Sequence, residues 1–116
     1  MLQYKRADRV ADVIRQELAD LLQRRIKDPR LNRVTITGVE LTDDLRHARI
    51  FYCFLGETGE QEAVAQGLIR ARGFIRRELG KRVYLRFLPE LEFRYDPSFE
   101  YGAKIERILK ELRTDE

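Results

Sequence analysis

The sequence predicts an α+β domain in which helices cover one small three-stranded mixed sheet. Two observations carry this. Apolar residues recur at intervals of three and four over residues 6–27 and again over 60–80, the period of an amphipathic helix. Between them, residues 33–42 and 46–55 are rich in β-branched and aromatic residues that alternate, the period of a half-buried strand. The predicted order is α-β-β-α-α-β-α, in one domain over residues 1–116, a length that supports a single core.

The first helix places Val10, Val13, Ile14, Leu18, Leu21, Leu22 and Ile26 on one stripe. Asp28-Pro29 ends it, because proline disfavours helical geometry in the residue before it. In the first strand the alternation slips: Val34 and Ile36 share one face, while Val39 and Leu41 have the opposite parity. Thr37-Gly38 lies at the slip, which predicts a β-bulge. Thr42-Asp43-Asp44-Leu45 supplies turn residues, and the second strand returns with Ala48, Ile50, Tyr52 and Phe54 on one side, making a hairpin. Residues 60–80 carry Val64, Leu68, Ala71, Ile75 and Leu79 in helical register, with Thr58 and Gln61 spaced as a capping box. Residues 82–88 and 91–95 read as extended, interrupted by Pro89. Asp96-Pro97 reads as an N-cap followed by proline in the first helical turn. A last helix bears Ile105, Ile108, Leu109 and Leu112.

Composition narrows the function classes. No apolar run approaches the ~20 residues needed to span a bilayer, and the opening MLQYKRADRV has charges where a signal peptide needs its apolar stretch, so a cytoplasmic protein is expected. One cysteine, Cys53, and one histidine, His47, leave neither an internal disulfide nor a Cys/His zinc set. Cys53 lies in an apolar strand and reads as a buried sheet residue. His47 sits beside Arg46 and Arg49 with no local carboxylate to orient it as a base. The carboxylate pairs Asp43/Asp44 and Glu90/Glu92 are what turns and alternating strands produce anyway. No nucleophile with its base and no P-loop occurs. An enzyme is the disfavoured class, and no cofactor is expected.

Charge is unevenly distributed. The net charge is only +3, yet residues 70–87 hold seven Lys/Arg against one acid, Glu78. Such a block favours a polyanion, although an acidic protein partner would use the same cations. Within it, ARGFIRRELGKR carries Gly73 on the side of the helix roughly opposite the apolar stripe, taking about 100° per residue. Tight packing therefore does not account for this glycine, whereas Gly67 lies close to the stripe. Two uses remain for Gly73: a break in the helix, or close approach of a ligand to bare backbone. A break would free amide groups at the start of a second helical piece, an anion seat beside the arginines. The alternative Gly56-Glu57-Thr58-Gly59 is rejected as a phosphate loop, because Glu57, Glu60 and Glu62 surround it.

A two-helix element with a glycine junction between strands is also how KH domains hold single-stranded nucleic acid. Taken with Arg6-x-x-Arg9-Val10, Asp28-Pro29-Arg30, Thr42-Asp43-Asp44-Leu45 and Pro89-Glu90-Leu91-x-Phe93-x-x-Asp96, the junction Ala71-Arg72-Gly73 makes the chain resemble the ribosome-binding factor A family over nearly its whole length. The resemblance implies a type II KH-like fold with an A-x-G kink between two central helices. It also implies a non-enzymatic assembly factor that binds the small (30S) ribosomal subunit and 16S rRNA during late maturation. Such a factor assists processing of the 16S rRNA 5′ end and growth in the cold. It acts as a monomer on free subunits rather than assembled ribosomes, away from membranes. The expected RNA contacts are Arg70, Ala71, Arg72, Gly73, Arg76, Arg77, Lys81 and Arg82. Arg6, Arg9, Arg24, Arg25, Lys27 and Arg30 join them from the N-terminal segment. Some relatives carry a basic C-terminal extension; this chain ends in the acidic Arg113-Thr114-Asp115-Glu116, so no tail role carries over.

Overall fold

A computed structural model describes residues 6–54, 56 and 58–98. Helix α1 runs over Arg6–Arg24 and buries Ala7, Ala11, Ile14, Leu18, Leu21 and Leu22. It ends three residues before the expected limit, because the Asn32 side-chain amide donates to the Leu22 and Ile26 carbonyls at 2.7 and 3.0 Å and so satisfies carbonyl groups near the helix end. Val13, expected on the stripe, is 45% exposed; Ala7 and Ala11 complete the buried face instead. A 3-10 turn at Leu31–Arg33 leads into strand β1, Val34–Leu41.

Strand β2, His47–Phe54, pairs antiparallel with β1, and the register shifts between Ile36 and Gly38, where the alternation slips in the sequence. The hairpin closes through the Leu45 N–H donating to the Thr42 carbonyl at 2.8 Å, with Leu45 at φ 63°. Strand β3, Glu90–Tyr95, pairs parallel with β2, giving a mixed sheet of order β1-β2-β3. Residues 83–88 do not join it. The first β2 residue, His47, already pairs with Glu90, so the segment before Glu90 lies past the end of its neighbour and has no ladder to enter.

Helix α2 spans Gln61–Arg82 as one continuous α-helix, entered through a 3-10 turn at Thr58–Glu60. This corrects two expectations. Glu60, not Thr58, holds the cap position and makes no side-chain cap bond; its carboxylate pairs with Arg33 instead. The helix is not broken at Gly73, where φ is not positive. Buried Leu68 and Ile75 on either side keep one register, so a single helix serves both turns of the stripe. Gly67 does serve packing: a methyl there would stand 3.3 Å from Leu31 Cδ2.

The core lies between the two helices and one sheet face, where Ile14, Leu18, Leu68, Ile75 and Leu79 meet Ile36, Ala48, Ile50, Tyr52 and Leu91. On the other sheet face Arg49 stands between Glu40 and Glu92 at 3.4 and 3.8 Å, with half-buried Phe51 and buried Cys53 farther along β2. Cys53 is buried, and burial raises its thiol pKa, as expected of an inert sheet residue. Asp96 accepts from the Ser98 N–H at 3.0 Å, the bond of an N-cap, and from the Thr37 hydroxyl at the bulge at 2.7 Å. The Ser98 hydroxyl, which also donates to Asp96, and then the Thr37 hydroxyl hold its carboxyl below the usual range. Pro97 and Ser98 have helical backbone; the expected last helix, with Ile105 to Leu112, and the acidic end lie outside the described residues. Among the described residues no helix is long and apolar enough to cross a membrane.

Candidate nucleic-acid interface

The helical period of α2 turns Arg70, Gly73, Phe74, Arg77 and Lys81 toward solvent on one face, at spacings of three and four. Arg70 and Arg77 stand two turns apart with Gly73 between them, and neither has an ion-pair partner among the described residues. Phe74, 38% exposed, lies on the same face.

Beside this face the loop after α1 packs against the middle of α2. Together they form an open groove of about 550 Å³, with Lys27, Asp28 and Arg30 on one wall and Arg70 and Ala71 on the other. The loop holds its shape because Asp28 Oδ1 accepts from the Arg30 backbone N–H at 3.0 Å. Its carboxylate stands 3.5 Å from Arg30 Nε, which partly offsets that charge. Leu31, buried against Gly67, anchors the far end of the loop. Residues distant in sequence thus place three cations around one concave surface.

The remaining expected contacts are placed differently. Arg76 is turned inward: its Nε and Nη2 donate to the Pro89 and Leu88 carbonyls at 2.9 and 2.8 Å, with Glu90 at 3.5 Å. It therefore clamps the segment that enters β3, and removing it should not leave stability unchanged. Arg82 donates to Asp20 and Glu17 of α1 at 2.8 and 3.2 Å; Asp20 first, then Glu17, raises its pKa. Arg25 donates to Glu78 at 2.8 Å, Lys81 stands 3.0 Å from the other Glu78 oxygen, and Arg24 pairs with Asp20 at 2.7 Å. Arg72 is exposed but lies on the flank shared with Arg76, away from the Arg70–Arg77 face. Arg6 and Arg9 are exposed at the start of α1; Arg6 borders a different cleft, at the hairpin turn.

Glu78 is the residue that sequence reasoning missed. Only 7% of its side chain is exposed, and its hydrogen bond from Arg25, then that from Lys81, lowers its pKa. It fastens the end of α1 to α2. A signal was present, since Glu78 is the one acid in the basic block, but which cations it neutralises depends on where α1 crosses.

Gly73 has a helical conformation, and an added methyl would meet only Arg77 Nη1, at 3.6 Å. Replacing it with alanine should therefore raise stability by about 0.5–1 kcal/mol through backbone entropy alone. A higher melting temperature for Gly73→Ala checks this; a lower one would mean that the helix needs a glycine conformation there.

The family model of ribosome-binding factor A matches residues 6–109. A ribosome-binding factor A of Syntrophobacter fumaroxidans is 61% identical, covering 99% of this chain and 100% of that protein. The crystal structure of ribosome-binding factor A from Thermus thermophilus superposes with a TM-score of 0.69 at 27% identity, covering 78% of this chain and 97% of that one. A homology model of the Thermus thermophilus factor, fitted into a cryo-EM map of its 30S complex, gives a TM-score of 0.61 at 28% identity, covering 73% of this chain and 89% of that one. This likeness carries the KH-like class without a helix break. From motif order, mixed sheet and near full-length identity alike, the chain belongs to the ribosome-binding factor A family, a family of ribosome-binding factors and not of enzymes.

Proposed function

We propose that this protein binds the small (30S) ribosomal subunit, laying the outward face of α2 and the adjoining groove against 16S rRNA phosphates. The observation that carries the reading is the pair Arg70 and Arg77, without ion-pair partners among the described residues and flanking the bare backbone of Gly73, with Arg70 bordering the groove that holds Lys27 and Arg30. The 30S complex of the Thermus thermophilus factor supports the choice of partner. The family resemblance supports the finer role: a cytoplasmic monomer, one KH-like RNA-binding domain, acts on free subunits late in maturation. It assists processing of the 16S rRNA 5′ end and growth in the cold, and it does not cut RNA itself.

With a continuous helix, the account of Gly73 that remains is close approach. A phosphodiester chain lying between Arg70 and Arg77 comes nearer to the helix where no side chain projects. Gly73→Ala should accordingly bind subunits more weakly even as it folds more stably.

Sedimentation with small subunits, large subunits and assembled ribosomes tests the partner; the protein should travel with the small subunit. Engagement of Lys27, Arg30, Arg70 and Arg77 predicts that log affinity falls against log salt with a slope of about −3. The double variant Arg70→Ala/Arg77→Ala should flatten that slope by roughly 1.4, two phosphate contacts at the single-strand coefficient. A wild-type slope near zero would overturn the phosphate reading in favour of a protein-mediated interface.

A further inference from the structure

The loop between α2 and β3 has an irregular burial pattern. Val83 and Leu85 pack against the core, while Tyr84 and Arg86 point outward, as alternation requires. Phe87 has the inward parity, yet it is 51% exposed, and Tyr84 in the same loop is fully exposed. Instead of core, the Phe87 ring has cations near it: the Arg46 guanidinium lies over it at 4.7 Å from the centroid, and that of Arg86 stands at 5.6 Å. Arg46 comes from the hairpin turn, so two loops far apart in sequence build this stack. Next to it a cleft of about 300 Å³ is lined by Arg6, Asp43, Asp44, Arg46, Arg86 and Phe87.

From this arrangement we infer that the cleft between the hairpin turn and the α2–β3 loop takes one unpaired nucleobase, stacked on the Phe87–Arg46 pair. The inference rests on the RNA-binding reading above but concerns a separate surface, at the opposite end of α1 from the Lys27–Arg30 groove. Aromatic rings and guanidinium planes are the platforms on which proteins stack unpaired bases. The volume is at the lower end of small-ligand pockets, roughly 300–1,000 Å³, and suits a single ring system rather than a duplex. The carboxylates decide what enters. Asp44 Oδ1 is occupied by the Thr42 hydroxyl and the Arg46 N–H, at 2.6 and 3.0 Å. Asp43 is exposed and free to accept N–H groups from a base edge. Two adjacent acids repel a phosphate from the cleft, while Arg6 and Arg86 at its border suit the phosphates on either side of the inserted base. A plain core aromatic would not be half exposed.

The test uses the full chain with a short single-stranded RNA carrying 2-aminopurine, whose fluorescence falls on stacking. Wild-type protein should quench it on binding. Phe87→Ala should abolish most of the quenching and weaken affinity about tenfold, within the range for one stacked base. Its salt slope should stay unchanged, because no phosphate contact is lost. Phe87→Tyr should restore both quenching and affinity. RNA binding by the wild type without quenching, or equal quenching by Phe87→Ala, overturns the base site and leaves the phosphate reading standing. Failure to bind RNA at all overturns both.

Discussion

Leu68→Ala is expected to cost about 2–5 kcal/mol of stability, a fully buried side chain replaced by a cavity. Leu68 is 0% exposed and sits midway along α2, in the cluster where both helices meet the sheet. Ile14, Leu18 and Ile50 of the same cluster are themselves fully buried and held by their own elements, so the core cannot close the gap without moving a helix or a strand. For a domain of this size the loss corresponds to a fall of about 10 °C or more in melting temperature. Subunit binding, corrected for the folded fraction, should be unchanged, because Leu68 lies on the face of α2 away from Arg70 and Arg77. Paired thermal melts and subunit pelleting check both parts. A fall of only a degree or two would mean that the core is not centred on this residue.

Arg76→Ala should destabilise the protein by about 2–3 kcal/mol, whereas Arg77→Ala, the next residue, should stay within about 0.5 kcal/mol. Arg76 gives two charge-assisted hydrogen bonds to consecutive carbonyls, those of Leu88 and Pro89, where the chain turns into β3. Pro89 is buried, so water cannot fully replace the lost donors there. The loss stays below the sum of two full charged bonds because about a third of the Arg76 side chain is exposed to water. Arg76→Lys should not restore stability, since one ammonium cannot reproduce the fork that meets both carbonyls. For binding the order reverses: Arg77→Ala weakens subunit affinity, and folded Arg76→Ala retains it. Denaturant titration of the three variants, with pelleting of Arg76→Ala and Arg77→Ala, separates the roles. Equal stability of Arg76→Ala and Arg77→Ala would show that the clamp contributes nothing.

Local periodicity was enough to place α1, the hairpin with its bulge at Thr37-Gly38, and the buried stripe of α2, because each is a repeat of 3.6 or 2 written in consecutive residues. The charge of the 70–87 block, and the position of Gly73 away from the stripe, were equally legible. Whether Gly73 breaks the helix was not: a mid-helix glycine costs about 1 kcal/mol, and the burial of Leu68 and Ile75 in one shared core outweighs that. Residues 82–88, read as extended, form no strand, since a strand needs a neighbour and β2 begins only opposite Glu90. Most of all, the sequence could count the cations but not sort them. Arg76, Arg82 and Arg25 look like Arg70 and Arg77 on paper. Their tasks diverge because Leu88, Asp20 and Glu78 come within about 3 Å of the first three, and no element among the described residues brings an ion-pair partner to the other two. Residue identity sets what an arginine can bind; the crossing of α1 over α2 and the path of the chain into β3 decide which arginines are spent inside the fold and which stay exposed.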